Sequence, residues 1–224
     1  YCLVSALTIK ANGQDSLWKI QTTDYHGTYY GATVANGGIG ILPWKEPFSI
    51  RHVMLNHVFD SATPQDVSRV LRGINPFNLQ MQINGQTVNG DNISRWEQCI
   101  DMKEATHNTH FTCDGKADVS YSICALRNLP YAGLVRVEVV ALGDMYLTVS
   151  NPIEIPDEYK NIGSKLVNVN VNGNDIKIVR TWALSKYREQ KVSASSAWEW
   201  SDFYFIKERR EILFYFIRCC LYRT

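Results

Sequence analysis

Asn78-Leu79-Gln80-Met81-Gln82-Ile83-Asn84-Gly85 is the stretch that decides the fold. Leu79, Met81 and Ile83 alternate with amide side chains, and the run ends on Asn-Gly, which accepts the positive φ angles of a two-residue hairpin turn. The pattern predicts a strand with one buried and one wet face, followed by a tight reversal. The same period returns at Val119/Tyr121/Ile123 against Ser120/Ser122, at Val135/Val137/Val139 against Arg136/Glu138, and at Val167/Val169/Val171 against Asn168/Asn170/Asn172. Asn89-Gly90, Asp114-Gly115, Asn151-Pro152 and Asn172-Gly173 supply turns between such runs. Further strands are expected around residues 39–42 and 52–55. One segment predicts a helix: Thr63-Pro64-Gln65-Asp66 offers an N-cap with Pro at the first helical position, Val67, Val70 and Leu71 follow, and Gly73 ends it. Many short strands joined by hairpin turns, without a strand-helix rhythm, predict an all-β antiparallel sandwich of two large sheets with one short helix.

Composition agrees with a packed domain. The chain has 224 residues, 45% of them hydrophobic and 20% charged, which excludes a disordered polymer. Its 23 Lys+Arg and 22 Asp+Glu give a formal net charge of +1, so the clustered positive charge that displaces counterions from nucleic acid or anionic lipid is missing. No run reaches the roughly 18 apolar residues of a membrane helix. Neither a nucleic-acid nor a membrane partner is expected.

The two ends differ from the middle. Residues 1–16 read as the remnant of a secretory signal: the apolar Leu3-Val4-Ser5-Ala6-Leu7-Thr8-Ile9 leads to Ala11-Asn12-Gly13, a small-residue processing composition. This predicts an exported protein, periplasmic or extracellular. Residues 201–224 place Phe203-Tyr204-Phe205 and Ile212-Leu213-Phe214-Tyr215-Phe216-Ile217 together with no period of 2 or 3.6. An irregular or helical tail, aberrant or truncated relative to the domain before it, is expected there. With Cys2 in the signal region and Cys219-Cys220 in the tail, the body holds Cys99, Cys113 and Cys124, which cannot all pair; buried free thiols are expected.

Chemistry-bearing patterns are sparse. Gly37-Gly38-Ile39-Gly40 has the glycines of a phosphate turn, but no helix follows to lend its N-terminal amides. His52 with His57, and His107 with His110, fall short of the three or four ligands of a metal site, so no metal and no cofactor are expected. Glu46, Asp60, Asp101 and Glu104 are conceivable acids for glycoside chemistry, which needs two carboxyl groups across a cleft. Sequence spacing pairs none of them. The loop from Gly37 to Phe48 joins three glycines to Trp44, Lys45 and Glu46 and is the predicted substrate-proximal segment. Asn36, Gly37, Gly38 and Gly40 form its structural turn, and Trp44 and Tyr131 are candidate sugar-stacking rings.

Three stretches together resemble the N-terminal domain of glycoside hydrolase family 65, the α-glucosyl disaccharide phosphorylases and hydrolases that include maltose phosphorylase, kojibiose phosphorylase and acid trehalase. Ala35-Asn36-Gly37-Gly38-Ile39-Gly40 is similar to the family's Asn-Gly-aromatic-Leu/Ile-Gly turn, with Gly38 where the aromatic usually stands. Gln98-Cys99-Ile100-Asp101-Met102-Lys103, running on to His110-Phe111-Thr112, resembles its Leu-Asp-Met/Leu-basic strand and threonine-rich hairpin. Tyr121, Arg127 and Leu134-Val135-Arg136-Val137 resemble the strand pair that follows.

The resemblance covers about residues 17 to 197. It implies a galactose-mutarotase-like supersandwich joined in full-length members to an (α/α)6 barrel. That barrel carries inverting chemistry on α-glucosides, with its own Glu as general acid and either phosphate or activated water as nucleophile. No position here matches the barrel motifs, so no catalytic residue is carried over. Residues 17–200 are therefore expected to form the non-catalytic N-terminal sandwich of an exported α-glucoside hydrolase or phosphorylase. An α-glucosidic oligosaccharide would be its partner through a separate catalytic domain. The alternative is a stand-alone carbohydrate-binding module, which needs an exposed row of aromatics. A mutarotase-type epimerase would instead need a His, such as His52, His57 or His110, beside a carboxylate on the concave sheet face.

Overall fold

The computed structural model describes residues 15–29, 31–61, 63, 65, 67–171, 174–200, 204–206 and 209–219. A 3-10 turn at Asp15–Trp18 leads into β1 (Lys19–Thr22), β2 (Val34–Ala35), β3 (Ile39–Pro43), β4 (Ile50–Asp60) and β5 (Arg69–Arg72). Next come β6 (Gln80–Ile83), β7 (Gln86–Thr87), β8 (Ile93–Asp101), β9 (Thr106–Cys113), β10 (Ala117–Ala125), β11 (Ala132–Ala141) and β12 (Leu147–Ser150). The chain continues through β13 (Tyr159–Val171), β14 (Asn174–Ser185), β15 (Lys191–Ala197), β16 (Glu199–Trp200), β17 (Tyr204–Ile206) and β18 (Arg209–Cys219). The protein is all-β and antiparallel, as its alternating runs require.

One sheet is large, in the order β1-β8-β9-β10-β11-β18-β15-β14-β13. The opposing layer is divided into a four-stranded sheet, β2-β3-β4-β5, and a three-stranded one, β12-β6-β7. The two pieces are tied together: Ile50 N donates to Asn78 Oδ1 at 2.7 Å, and Asn75 and Glu154 exchange backbone bonds of 2.8 and 3.0 Å. Ile41, Leu55, Met81, Phe111, Val119 and Val137, drawn from all three sheets, share one buried cluster. Gly133 marks a close approach between layers. A methyl group on its Cα would come within 2.7 Å of Ile41 Cδ1 and 2.8 Å of the Phe77 ring.

The hairpin chemistry read from the sequence is realised locally. Met81 and Ile83 are buried while Gln80 is exposed, and Asn84 and Gly85 take φ of 52° and 80°, the double positive value of a type I′ turn. Asp114 and Gly115 do the same between β9 and β10, at 45° and 64°. Val119, Tyr121, Ile123, Val135, Val137 and Val139 are all buried. Val167 and Val169 are only half-buried, and the Asn172-Gly173 turn lies outside the described residues.

Two expectations are corrected. Of the segment read as a helix ending at Gly73, Pro64 and Asp66 lie outside the described residues, and its second half is β5 instead: Phe59 and Asp60 pair with Val70 and Arg69, and Gly73 N donates to Val53 O at 2.6 Å. A helix this short is marginal, whereas the edge of β4 offers partners for the same backbone amides. Nor is the tail irregular or helical in its described part. Residues 209–219 are β18, placed between β11 and β15, with β16 and β17 pairing alongside. Its register against β11 runs unbroken from Ala132↔Cys219 to Ala141↔Arg210, so it supplies hydrogen-bond partners that the edge of β11 would otherwise lack.

Cys99, Cys113 and Cys124 are free thiols; Cys113 is buried and the other two half-buried. Burial pushes all three above the ordinary thiol range, which favours the protonated form over the nucleophilic thiolate. The sequence segment read as a signal remnant lies outside the described residues except for Asp15 and Ser16.

Candidate functional site

The segment holding Trp44, Lys45 and Glu46 is the connection between β3 and β4. It reverses the chain through Trp44 N to Ser49 O (2.9 Å) and Ser49 N to Glu46 O (3.1 Å). Phe48 sits at φ 61°, and its amide donates to the Tyr121 hydroxyl at 3.1 Å. A non-glycine residue with positive φ needs such support, and the Phe48 ring supplies more by packing 4.7 Å from Tyr121 and 5.8 Å from Phe111. The loop is thus anchored in the core and built as a fixed shape.

Each side chain expected to meet substrate already has an internal neighbour. The Trp44 ring stands edge-on to Tyr29 at 4.8 Å, and the Arg51 guanidinium lies 4.2 Å from its centroid, a cation–π distance. Lys45 Nζ is 5.4 Å from the Tyr25 ring, and the Tyr25 hydroxyl donates to Glu46 Oε1 at 2.6 Å. Burial first, then the hydrogen bond to Glu46, raises the Tyr25 phenol well above its usual range, so it remains the donor. Gln98 ties the loop to the large sheet: its Nε2 donates to Trp44 O at 2.9 Å and to Thr109 Oγ1 at 3.2 Å, while its Oε1 accepts from Tyr29 at 2.7 Å. Tyr29 and Gln98 also line a cavity of about 270 Å³ with Asp24, Thr28 and His107.

The Asn36-Gly37-Gly38 turn docks elsewhere. Asn36 Oδ1 accepts from Gly38 N and Ile39 N, each at 3.0 Å, and its Nδ2 donates to Leu126 O at 2.6 Å. Gly37 takes φ 89°, and Asn56 Nδ2 donates to its carbonyl at 2.7 Å. A Cβ at Gly38 would lie 3.2 Å from Tyr131 N, so the loop carrying Pro130 and Tyr131 occupies the space that an aromatic residue at this position would need. Tyr131 itself donates to Asn56 O at 3.2 Å and joins this turn, apart from Trp44. Gly40 lies on β3, opposite Met54 and Ala35.

The structure therefore joins Trp44, Lys45 and Glu46 to Tyr25, Tyr29, Gln98 and Arg51, and leaves Asn36, Gly37 and Gly38 in a separate turn. Of the partners, Gln98 lies 54 residues from Trp44 and Tyr29 lies 69 from Gln98, so no local spacing links them. Chemically, the loop presents one carboxylate already held by a phenol; by itself it lacks the acid-and-base pair of glycoside hydrolysis. His52 and His57 share β4, where a register shift between Met54 and Phe59 and a φ of 65° at His57 interrupt the strand. Among the described residues no group of three or more His, Cys, Asp or Glu is placed to hold a metal ion.

No family model matches this sequence. Two curated relatives do. The chain is 28% identical over 200 residues to a kojibiose hydrolase of Mucilaginibacter mallensis, and 30% identical over 168 residues to a kojibiose hydrolase of Flavobacterium johnsoniae. These alignments take in 89% and 75% of this chain. The chain is thus similar to part of these hydrolases, which is consistent with the N-terminal sandwich domain of glycoside hydrolase family 65. It spans only 29% and 25% of the length of those two relatives. In fold, it superposes with a TM-score of 0.60 on a solved structure described as a kojibiose phosphorylase from the human microbiome, over 84% of this chain and 29% of that one, at 7% identity.

Proposed function

We propose that this chain is the non-catalytic β-sandwich of an α-glucoside-active hydrolase or phosphorylase, and that its β3–β4 loop shapes the mouth of an active site housed in a different part of the enzyme. The observation that supports this most is the similarity to kojibiose hydrolases along nearly the whole chain, together with the chain's span of less than a third of their length. The loop geometry fits the role. A turn fixed by Phe48 and Gln98 can present Trp44 and Lys45 to a saccharide without the entropy loss of ordering a mobile segment. Export, expected from residues 1–16, belongs to the same reading and is checked by cell fractionation.

The purified chain should release no glucose from kojibiose, nigerose, maltose or trehalose, with or without inorganic phosphate. Enzymatic glucose release, or formation of glucose 1-phosphate, abolished by Glu46→Gln would show that the sandwich carries chemistry of its own and would overturn the proposal.

A further inference from the structure

The outward face of the large sheet carries a second concentration of polar groups, well separated in sequence from the β3–β4 loop. Strand register sets it. Glu97 pairs with His110, His110 with Ser120 and Ser120 with Glu138, which makes one row across β8, β9, β10 and β11. Cys99, Asn108, Ser122 and Arg136 form the next row. Neighbouring strands lie about 4.8 Å apart and same-face residues about 7 Å apart along a strand, so the patch measures roughly 14 by 7 Å. The alternate residues Gln98, Thr109, Tyr121 and Val137 are buried, which places the two rows on the side away from the core. These groups line a groove of about 250 Å³.

The donor set is mixed. Glu97 and Glu138 are acceptors, Asn108 offers both amide functions, Arg136 carries five N–H donors, and the two serines can act either way. His110 Nδ1 lies 3.0 Å from Ser120 Oγ, which fixes both groups in place. The two carboxylates stand at opposite ends of the longer row, roughly 14 Å apart, and against the single Arg136 guanidinium they leave the face net negative, which disfavours an anion such as phosphate. An apolar ligand would strip water from the carboxylates without replacing it. A neutral polyhydroxylated ring satisfies both halves of the set, because each hydroxyl donates to one group and accepts from another. The groove is slightly smaller than the roughly 300 Å³ at which sites for larger ligands begin, which suits one ring rather than a chain.

We propose that this face is a saccharide site for a single hexose unit, separate from the Trp44 loop. The choice of glucose as that hexose rests on the α-glucoside reading above; the polar grid does not. Titrating the chain with glucose, kojibiose and galactose by heteronuclear NMR should give saturable shifts in Glu97, His110 and Arg136 with a millimolar Kd. Arg136→Ala and Glu138→Gln should each weaken binding by about tenfold while the thermal midpoint stays in place, and Trp44→Ala should leave it unchanged. Inorganic phosphate should neither shift these signals nor compete. Absence of saturation with every sugar, unchanged binding in both groove variants, or displacement by phosphate would overturn the site. Binding of galactose but not glucose would keep the site and remove the α-glucoside assignment.

Discussion

Asp60 shows how much one carboxylate can hold. It closes β4 and is almost fully buried, yet its oxygens accept from Ser61 N at 2.7 Å, Arg188 N at 3.1 Å and Tyr187 N at 3.2 Å. It therefore ties the four-stranded sheet to the hairpin between β14 and β15. Burial works to raise its pKa, but the bonds from the Ser185 hydroxyl and those three amides outweigh it and hold the group below the usual carboxylate range. Asp60→Ala should cost about 2 kcal/mol, since it leaves three part-buried amides without their acceptor, and Asp60→Asn should cost less. Urea unfolding checks both, and equal midpoints for wild type and Asp60→Ala would refute the role. Because the folded pKa is depressed, this stabilisation is complete above the unfolded value and fades only as the pH falls below about 3.8. His107 acts in a higher window. Burial lowers its pKa from 6.5 to about 4, so the unfolded chain takes up a proton that the folded chain refuses. Stability should therefore drop as the pH falls from 6.5 toward 4, by up to about 3 kcal/mol. His107→Leu should flatten that part of the profile; identical slopes in the two proteins would show that the imidazole is not held neutral by its site.

At the scale of elements, β18 carries the sharpest prediction. Among the described residues it is the strand that joins β11 to β15 in the large sheet, so without it both lose a neighbour and the sheet divides in two. Deleting residues 201–224 should lower the thermal midpoint by far more than the roughly 4 °C that 1 kcal/mol produces in a protein of this size, or leave the chain insoluble. Amide exchange in β18 should be as slow as in β10. A truncated chain with an unchanged midpoint would show that the strand is dispensable. The aromatic run in this segment has no period of two, which is why alternation failed to reveal it. Interior strands can read as continuous apolar stretches, and such runs are distinguished from disordered tails by what lies beside them in space. The segment before Gly73 misleads for a related reason. Pro64 and the spacing of Val67, Val70 and Leu71 imitate a helix start, and only the open edge of β4 decides otherwise.

For the whole molecule, the sequence was most legible where information is local. Alternation at Met81/Ile83, Val119/Tyr121/Ile123 and Val135/Val137/Val139, with Asn-Gly and Asp-Gly turns, specified strands, their buried faces and the all-β class. The candidate site was legible only as a loop. That Trp44 meets Tyr29 and Arg51, and that Tyr25 holds Glu46, depends on elements brought together by the sandwich, as does the row from Glu97 to Glu138. The position of β18 also has a meaning in time. A ribosome releases β11 long before residues 209–219, so during synthesis the first half of the large sheet waits with an open hydrogen-bonding edge, and closure comes only after β12 to β17 have emerged. Such delayed, long-range pairing is slow and exposes the nascent chain to association through that edge. The protein's vulnerable period is thus set by its order of manufacture.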